Sequence, residues 1–408
     1  MNELLTSFLA RWQGDAPVYL LACALGVLVV ALAGWPVRRL AHRLGAIDIP
    51  GGRHQHRQPT PRLGGIAVLL GVVAAIAAGF AALALRRPEV LEQAGTLGFV
   101  LAVATGVCLL GVRDDIRALS PIAKLGGLAL AGTALAFGGV RIEFLELPLL
   151  GKLTLGPLAG IATVVWVLAC TNAVNLIDGV DGVGAGTSAV ACFALGLVAH
   201  GMGDPATAMA FVAIGGACVG FLLHNREPAR IFLGDSGSLL LGFLMAALSA
   251  TGCTKRATAI FLCAALLALA VPLLDSTMAF VRRYRRAGRT LGRGHLLQKL
   301  RATAVGDREH IHHRLLGRGH SHRRVARTLS LCTLLPGLTA LLLLPSGQTG
   351  WVKACAAVLA SAVVLWRLMA MPSALKPQAG AAEKDLVLPS APPRRTPRVR
   401  RRKQHEMV

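Results

Sequence analysis

The sequence predicts an all-α polytopic membrane protein of about eleven transmembrane helices, with its N-terminus outside and its C-terminus in the cytoplasm. Three observations carry this expectation. Of 408 residues, 54% are hydrophobic and only 15% are charged, with a mean hydropathy of +0.60; soluble domains carry about 25% charged residues. The apolar residues also come in blocks long enough to cross a hydrocarbon core. Finally, the basic residues gather in alternate loops.

The predicted spans are 18–35, 63–85, 97–112, 122–138, 157–171, 184–200, 206–223, 237–252, 258–281, 326–344 and 351–370. The first is read as a retained helix, because Met1–Asp15 lacks the basic start and cleavage site of a signal peptide. Many blocks are rich in Gly and Ala, which suits close helix packing in lipid. No internal repeat is evident, so a two-fold transporter architecture gains no support.

Alternation places loops 36–62, 113–121, 172–183, 224–236 and 282–325 on one side. They hold Arg38, Arg39, Arg43, Arg53, Arg57, Arg62 and the dense Arg282–Arg324 region. By the positive-inside rule this side is cytoplasmic. The transmembrane domain then covers 1–371, and residues 372–408 form a basic, disordered cytoplasmic tail ending in an Arg-rich stretch.

The formal charge of +23 would suggest nucleic acid in a soluble chain, but its confinement to loops and tail fits a bilayer surface instead. Nine cysteines (23, 108, 170, 192, 218, 253, 263, 332 and 355) form no CxxC pair and lie mostly in apolar blocks. They are read as small buried hydrophobes, not as a zinc site or disulfide framework.

Four segments bear chemistry, all on the basic face. In Gly111-Val112-Arg113-Asp114-Asp115, adjacent carboxylates at the end of an apolar helix repel and need a cation, an Arg or a shared proton. Thr171–Gly182 sets Asn172, Asn175, Asp178 and Asp181 among apolar neighbours. Hard oxygen donors at that density suit Mg²⁺, although Asp-Gly steps also make turns. Ile231–Ser238 opens a helix with Gly234, Asp235 and two serines, which reads either as a simple cap or as a phosphate site with a metal-bearing Asp. Asn225 and Phe232 beside it could meet a nucleobase or pack at the interface. Asp307–Arg314 carries His310, His312 and His313; without cysteines, and flanked by Arg308 and Arg314, it fits phosphate better than zinc. Asp275, within a predicted span, is a functional candidate or a local hydrogen-bonding group. Together these segments specify a divalent cation, a diphosphate and a base at one membrane surface. Phosphoryl transfer from a soluble nucleotide donor to a lipid acceptor needs all three.

The same segments resemble the polyprenyl-phosphate N-acetylhexosamine-1-phosphate transferases, the membrane family that includes the lipid I translocase. The matching stretches are Asp48-Ile49-Pro50 with Arg53 and His56, Pro59–Gly65, Asp114-Asp115, Asn172–Gly182, Asn225–Ser238 and His310–Arg314. The His-Ile-His-His-Arg form is similar to the branch acting on UDP-N-acetylglucosamine in teichoic acid, O-antigen or arabinogalactan-linker synthesis. The third acid often seen after the Asp pair is absent, since Ile116 and Arg117 follow.

The resemblance implies a bacterial inner-membrane enzyme with a cytoplasmic site. It implies a UDP-amino sugar donor, an undecaprenyl or decaprenyl phosphate acceptor and UMP as leaving product. Mg²⁺ is the implied cofactor, with Mn²⁺ as substitute, held by Asp235 and Asn175. Asp114, Asp115, Asp178 and His312 are the implied catalytic residues. Asn225, Phe232, His310, His313, Arg314 and Arg62 are the implied substrate-binding residues. A homodimer is the oligomer to test. The competing readings are phospho-N-acetylmuramoyl-pentapeptide transfer and a non-enzymatic membrane carrier.

Overall fold

The computed structural model describes residues 2–49, 59–147, 151–253, 315–316 and 318–341, with a few single positions beyond. Nine α-helices lie among them. They are α1 (Asn2–Leu44), α2 (Gly64–Arg86), α3 (Ala94–Ile116), α4 (Pro121–Phe137), α5 (Ala159–Ile177), α6 (Val183–Gly201), α7 (Pro205–Asn225), α8 (Gly234–Cys253) and α9 (His322–Leu341). Six segments among the described residues, within α1, α2, α3, α5, α6 and α7, are long and apolar enough to cross a bilayer, and α4 is a shorter apolar helix. The predicted spans 258–281 and 351–370 fall outside the described residues, apart from single positions, as does Asp275.

Local chemistry sets the helix ends. Ser120 caps α4 by accepting from the Ala123 N–H, and Pro121 follows at the first helical position. Asp204 caps α7 in the same way through Thr207, again with Pro next. Glycines at positive φ stand just before α6 (Gly182, φ 76°) and at the first position of α8 (Gly234, φ 70°), where a side chain would strain the backbone.

The expectation of purely helical structure needs a small correction. Two short antiparallel pairs are present: β1 (Ile47–Asp48) with β2 (Thr60–Pro61), and β3 (Phe144–Leu147) with β4 (Gly151–Thr154). Both join helix ends, where unpaired backbone groups find each other.

In the helix assembly, α8 packs against α2, α3 and α5, while α7 lies between α1 and α6, and α9 rests on α6. Residues Leu239–Leu248 of α8 are buried without a break among the apolar positions, so α8 is the central post. Small residues permit the tightest contact. A Cβ on Gly216 would stand 2.4 Å from the Cys23 carbonyl, and one on Gly220 2.5 Å from that of Val27. Backbones of α1 and α7 therefore touch, the arrangement that Gly-rich helices favour when no aqueous hydrophobic effect drives them together. In contrast, Leu20, Leu28, Leu32 and Trp35 on α1, and Leu130 and Phe137 on α4, are exposed. These form a surface suited to lipid.

Candidate active site

The C-terminal end of α3 lies beside the start of α4 and the start of α8. Successive helical residues point about 100° apart, so the adjacent Asp114 and Asp115 serve different neighbours. Asp114 turns to α4, where its Oδ1 accepts from the Leu119 N–H at 2.7 Å and its Oδ2 from Lys124 Nζ at 2.9 Å. Lys124 also donates to Asp235 at the start of α8. A single ammonium thus bridges two carboxylates carried by α3 and α8.

Asp115 turns the other way and is 8% exposed. Its Oδ1 accepts from the Asp235 N–H at 2.9 Å and its Oδ2 from the Ser236 N–H at 3.0 Å. It is the N-terminal cap of α8, delivered from α3 rather than from the preceding residue. The fit demands glycines. A Cβ on Gly234 would come within 2.5 Å of Asp115 Oδ2, and one on Gly111 within 2.5 Å of the Asp235 carbonyl. The sequence places Asp115 with the catalytic residues; the geometry commits both its oxygens to backbone.

The end of α5 completes the cluster. Asn175 Nδ2 donates to Asp235 Oδ1 at 3.1 Å and to Ser238 Oγ at 2.9 Å. Asp178, just beyond the helix, lies so near α6 that a Cβ on Gly184 would meet its Oδ1 at 2.1 Å. Burial pushes the Asp178 carboxyl well above the usual range, and the charges of Asp235, Asp115 and Asp181 push it further, with Arg62 opposing. Arg62 therefore belongs to the same electrostatic neighbourhood. It is anchored by Asp48 at 2.9 Å, which the β1–β2 pairing brings alongside.

The segment between α7 and α8 forms a stitched shelf that presents Asp235. The Asn225 side chain, 3% exposed, accepts from Gly182 N at 2.9 Å and donates to the Ile231 carbonyl at 2.9 Å. Asp181 Oδ2 accepts from Ala229 N at 3.0 Å. Phe232 N donates to the Pro61 carbonyl, and the carbonyls of Phe232 and Leu233 accept from Gly64 N and Gly65 N. Leu63, at φ 82° and fully buried, takes a conformation rare for a branched side chain so that both glycine N–H groups aim at the shelf. Asn225, expected from the sequence at a nucleobase, has its amide engaged on both sides by backbone. Phe232 is half-buried on the shelf.

The structure thus brings Asp114, Asp115, Asn175, Asp178, Asp235 and Arg62 to one end of the helix assembly, with Asn225 and Phe232 on the shelf that borders it. His310, His312, His313 and Arg314 lie outside the described residues. Lys124 is the residue that sequence reasoning missed. Its signal was a lone cation in the first turn of an apolar helix, the end where the helix dipole disfavours positive charge.

Whether a divalent cation suits the cluster can be judged from its donors. Among the described residues no three His, Cys, Asp or Glu side chains converge as a metal-ligand group. Mg²⁺ asks for less: one or two carboxylates, with water and substrate phosphate oxygens filling its octahedron. Asp235 and Asn175 meet that requirement. The ammonium of Lys124 already sits on Asp235 and Asp114, which marks a place where positive charge is accepted. Rotating the Asn175 amide would turn its oxygen to the same place, since the N and O positions are interchangeable in shape.

Residues 97–253 match the family described as Glycosyl transferase family 4. A Bacillus subtilis protein named probable undecaprenyl-phosphate N-acetylglucosaminyl 1-phosphate transferase is 33% identical over 325 residues, 79% of this chain and 84% of the relative. A Mycobacterium tuberculosis decaprenyl-phosphate N-acetylglucosaminephosphotransferase is 36% identical over 326 residues, 74% of this chain and 77% of the relative. A phospho-N-acetylmuramoyl-pentapeptide-transferase from Desulforudis audaxviator is 39% identical over 251 residues, but these make up only 55% of this chain and 73% of the relative.

Proposed function

Because this chain belongs to glycosyl transferase family 4, alongside the polyprenyl-phosphate N-acetylglucosamine-1-phosphate transferases, we propose that it transfers N-acetylglucosamine-1-phosphate from UDP-N-acetylglucosamine to undecaprenyl or decaprenyl phosphate. UMP is released, and the lipid-linked sugar begins a cell-envelope polysaccharide. The observation that carries this reading is the bridging of Asp114 and Asp235 by Lys124 at the ends of α3, α4 and α8, with Asp178, just beyond α5, in the electrostatic neighbourhood of Asp235. In the proposed orientation that end faces the cytoplasm, in a bacterial inner membrane, where soluble nucleotide sugar and lipid phosphate can both reach it.

In the proposed reaction an oxygen of the lipid phosphate attacks the phosphorus that bears the sugar. The bond from that phosphorus to the UMP oxygen breaks, and the negative charge moves onto UMP. Lys124 is placed to hold a phosphate oxygen against repulsion from the carboxylates. Asp114 orients the acceptor phosphate, or takes its proton if it arrives singly ionised. Arg62, steadied by Asp48, contributes positive charge toward Asp178 on the donor side. Asp235 and Asn175 would hold Mg²⁺, which supplies neutralisation of the diphosphate charge. Asp115 keeps the backbone of Asp235 fixed, and so acts on the reaction through position.

The test uses the purified full chain, undecaprenyl phosphate and a mixed pool of UDP-sugars, with the lipid product identified by mass spectrometry. A product carrying N-acetylhexosamine-1-phosphate with matching UMP release supports the proposal. A product carrying the muramoyl-pentapeptide would assign the chain to lipid I synthesis. No lipid product with any donor would leave only the carrier reading.

A further inference from the structure

The described C-terminal helix α9 is fastened to the shelf beside the site through Glu227 and Arg323. Glu227, on the shelf between α7 and α8, accepts the Arg323 N–H at 2.9 Å through Oε2. In return, the Arg323 guanidinium donates to the Glu227 carbonyl through Nη2 at 2.8 Å and Nε at 3.3 Å. Each side chain thus bonds the other residue's backbone, 96 positions away in sequence. Arg323 lies in the first turn of α9, where helix N–H groups lack internal partners and a carboxylate complements the dipole. Beside this point Val325 and Leu329 of α9, with Leu315, are buried against Ile177, Val180 and Val183. Those three residues flank Asp178 and Asp181. The helix consequently touches the two segments that lead to Asp178 and Asp235.

We propose that Glu227 and Arg323 are positioning residues, forming a reciprocal clasp that registers α9 on the shelf and holds Asp235 and Asp178 in working relation. The inference rests on the phosphotransfer reading given above. An apolar contact such as that of Val325 and Leu329 is non-directional and tolerates sliding along the helix. Three directional bonds at one residue pair fix the register. Other ties of the shelf run to β2, α2 and the 178–182 turn, whereas the clasp links it to a helix of the C-terminal part of the chain.

The test compares Glu227→Ala, Glu227→Gln, Arg323→Ala and Arg323→Lys in the full chain, by steady-state UMP release and by thermal stability. Misplacing a reacting group by about an ångström can cost up to a hundredfold in rate. Partial loosening should lower kcat about tenfold in each alanine variant, with the donor KM within about twofold. Gln keeps an oxygen able to accept the Arg323 N–H, and Lys keeps one donor, so both should recover at least half of the lost rate. Alanine variants with wild-type kcat would overturn the clasp while leaving the phosphotransfer reading intact. Reduced stability with unchanged kcat per folded molecule would overturn it equally, by making the contact merely structural. A rate loss that Gln fails to recover would place the role in the charge of Glu227 and not in the bond. If the wild-type protein releases no UMP with any donor, the phosphotransfer reading fails and this inference falls with it.

Discussion

Replacing Asp115 separates a positioning carboxylate from a reacting one. Its two oxygens receive the N–H groups of Asp235 and Ser236 at 2.9 and 3.0 Å in a site that is 8% exposed. A hydrogen bond to a charged group contributes about 1.5–3 kcal/mol. Asp115→Ala removes two and leaves two buried donors unsatisfied, for a destabilisation of about 3–6 kcal/mol. Asp115→Asn keeps one acceptor and sets its NH₂ against the other donor, so it should cost about half as much. The measurement is unfolding in mixed micelles titrated with SDS, followed by helix content, with UMP release assayed on the same samples. Activity should fall in step with stability, and the Asn variant should retain turnover. Asp114→Asn weakens the contact with Lys124 and should lose a comparable amount of stability, but unlike Asp115→Asn it should lose turnover outright. An Asp115→Asn protein that unfolds at the wild-type midpoint yet turns over nothing would refute the reasoning and return Asp115 to the chemistry.

Three more expectations follow from the geometry. Gly234→Ala should abolish activity and folding yield together, because φ is 70° and the new Cβ would meet Asp115 Oδ2 at 2.5 Å; normal expression with normal turnover would contradict the close approach. Asn225→Ala removes two buried bonds at about 1 kcal/mol each plus the cost of orphaned partners. It should lower stability by about 2–4 kcal/mol without altering the preference for uridine over other nucleotides, which competition assays would read. For Asp178, the folded carboxyl titrates above its unfolded value of about 3.9. The ligand-free fold then binds more protons between those two values, and its stability falls as pH rises from about 4 through the raised one. Asp178→Asn should flatten that slope, and an unchanged slope would assign it to another group.

The hydropathy blocks located α2 to α8 because lipid demands continuous apolar helix, but α5 runs to Ile177, six residues past its expected end at 171, and so carries Asn172 and Asn175 within the helix instead of in the expected 172–183 loop. Where helices outrun the membrane, the signal weakens. The first span was expected at 18–35, yet α1 runs Asn2–Leu44 through Pro17 and Pro36, since its ends are polar and only Gly45 at φ 71° stops it. The acids of the candidate site stood out in the sequence because carboxylates at the edges of long apolar blocks are uncommon, although turns and a helix cap offered bland readings of each. The resemblance set Asp114 at the lipid phosphate and Asp115 as its electrostatic support; the bonds of Asp115 to the backbone of α8 were not legible, because they form only when α4 and α8 arrive on different sides of α3. Lys124 was absorbed into an apolar span, and Asn225 looked like a ligand-binding amide because its partners, Gly182 and Ile231, meet only in three dimensions. The β1–β2 pairing that seats Asp48 beside Arg62 joins stretches separated by a segment that has no strand signal of its own.

Lys124 has one further consequence. Because its ammonium bridges Asp114 and Asp235, the resting pocket carries a built-in counterion and avoids the mutual repulsion that an all-acidic nest would suffer. If Asp235 and Asn175 hold Mg²⁺ during turnover, chelators should therefore silence the catalyst without melting it, because the tethered amine keeps the emptied nest neutralised.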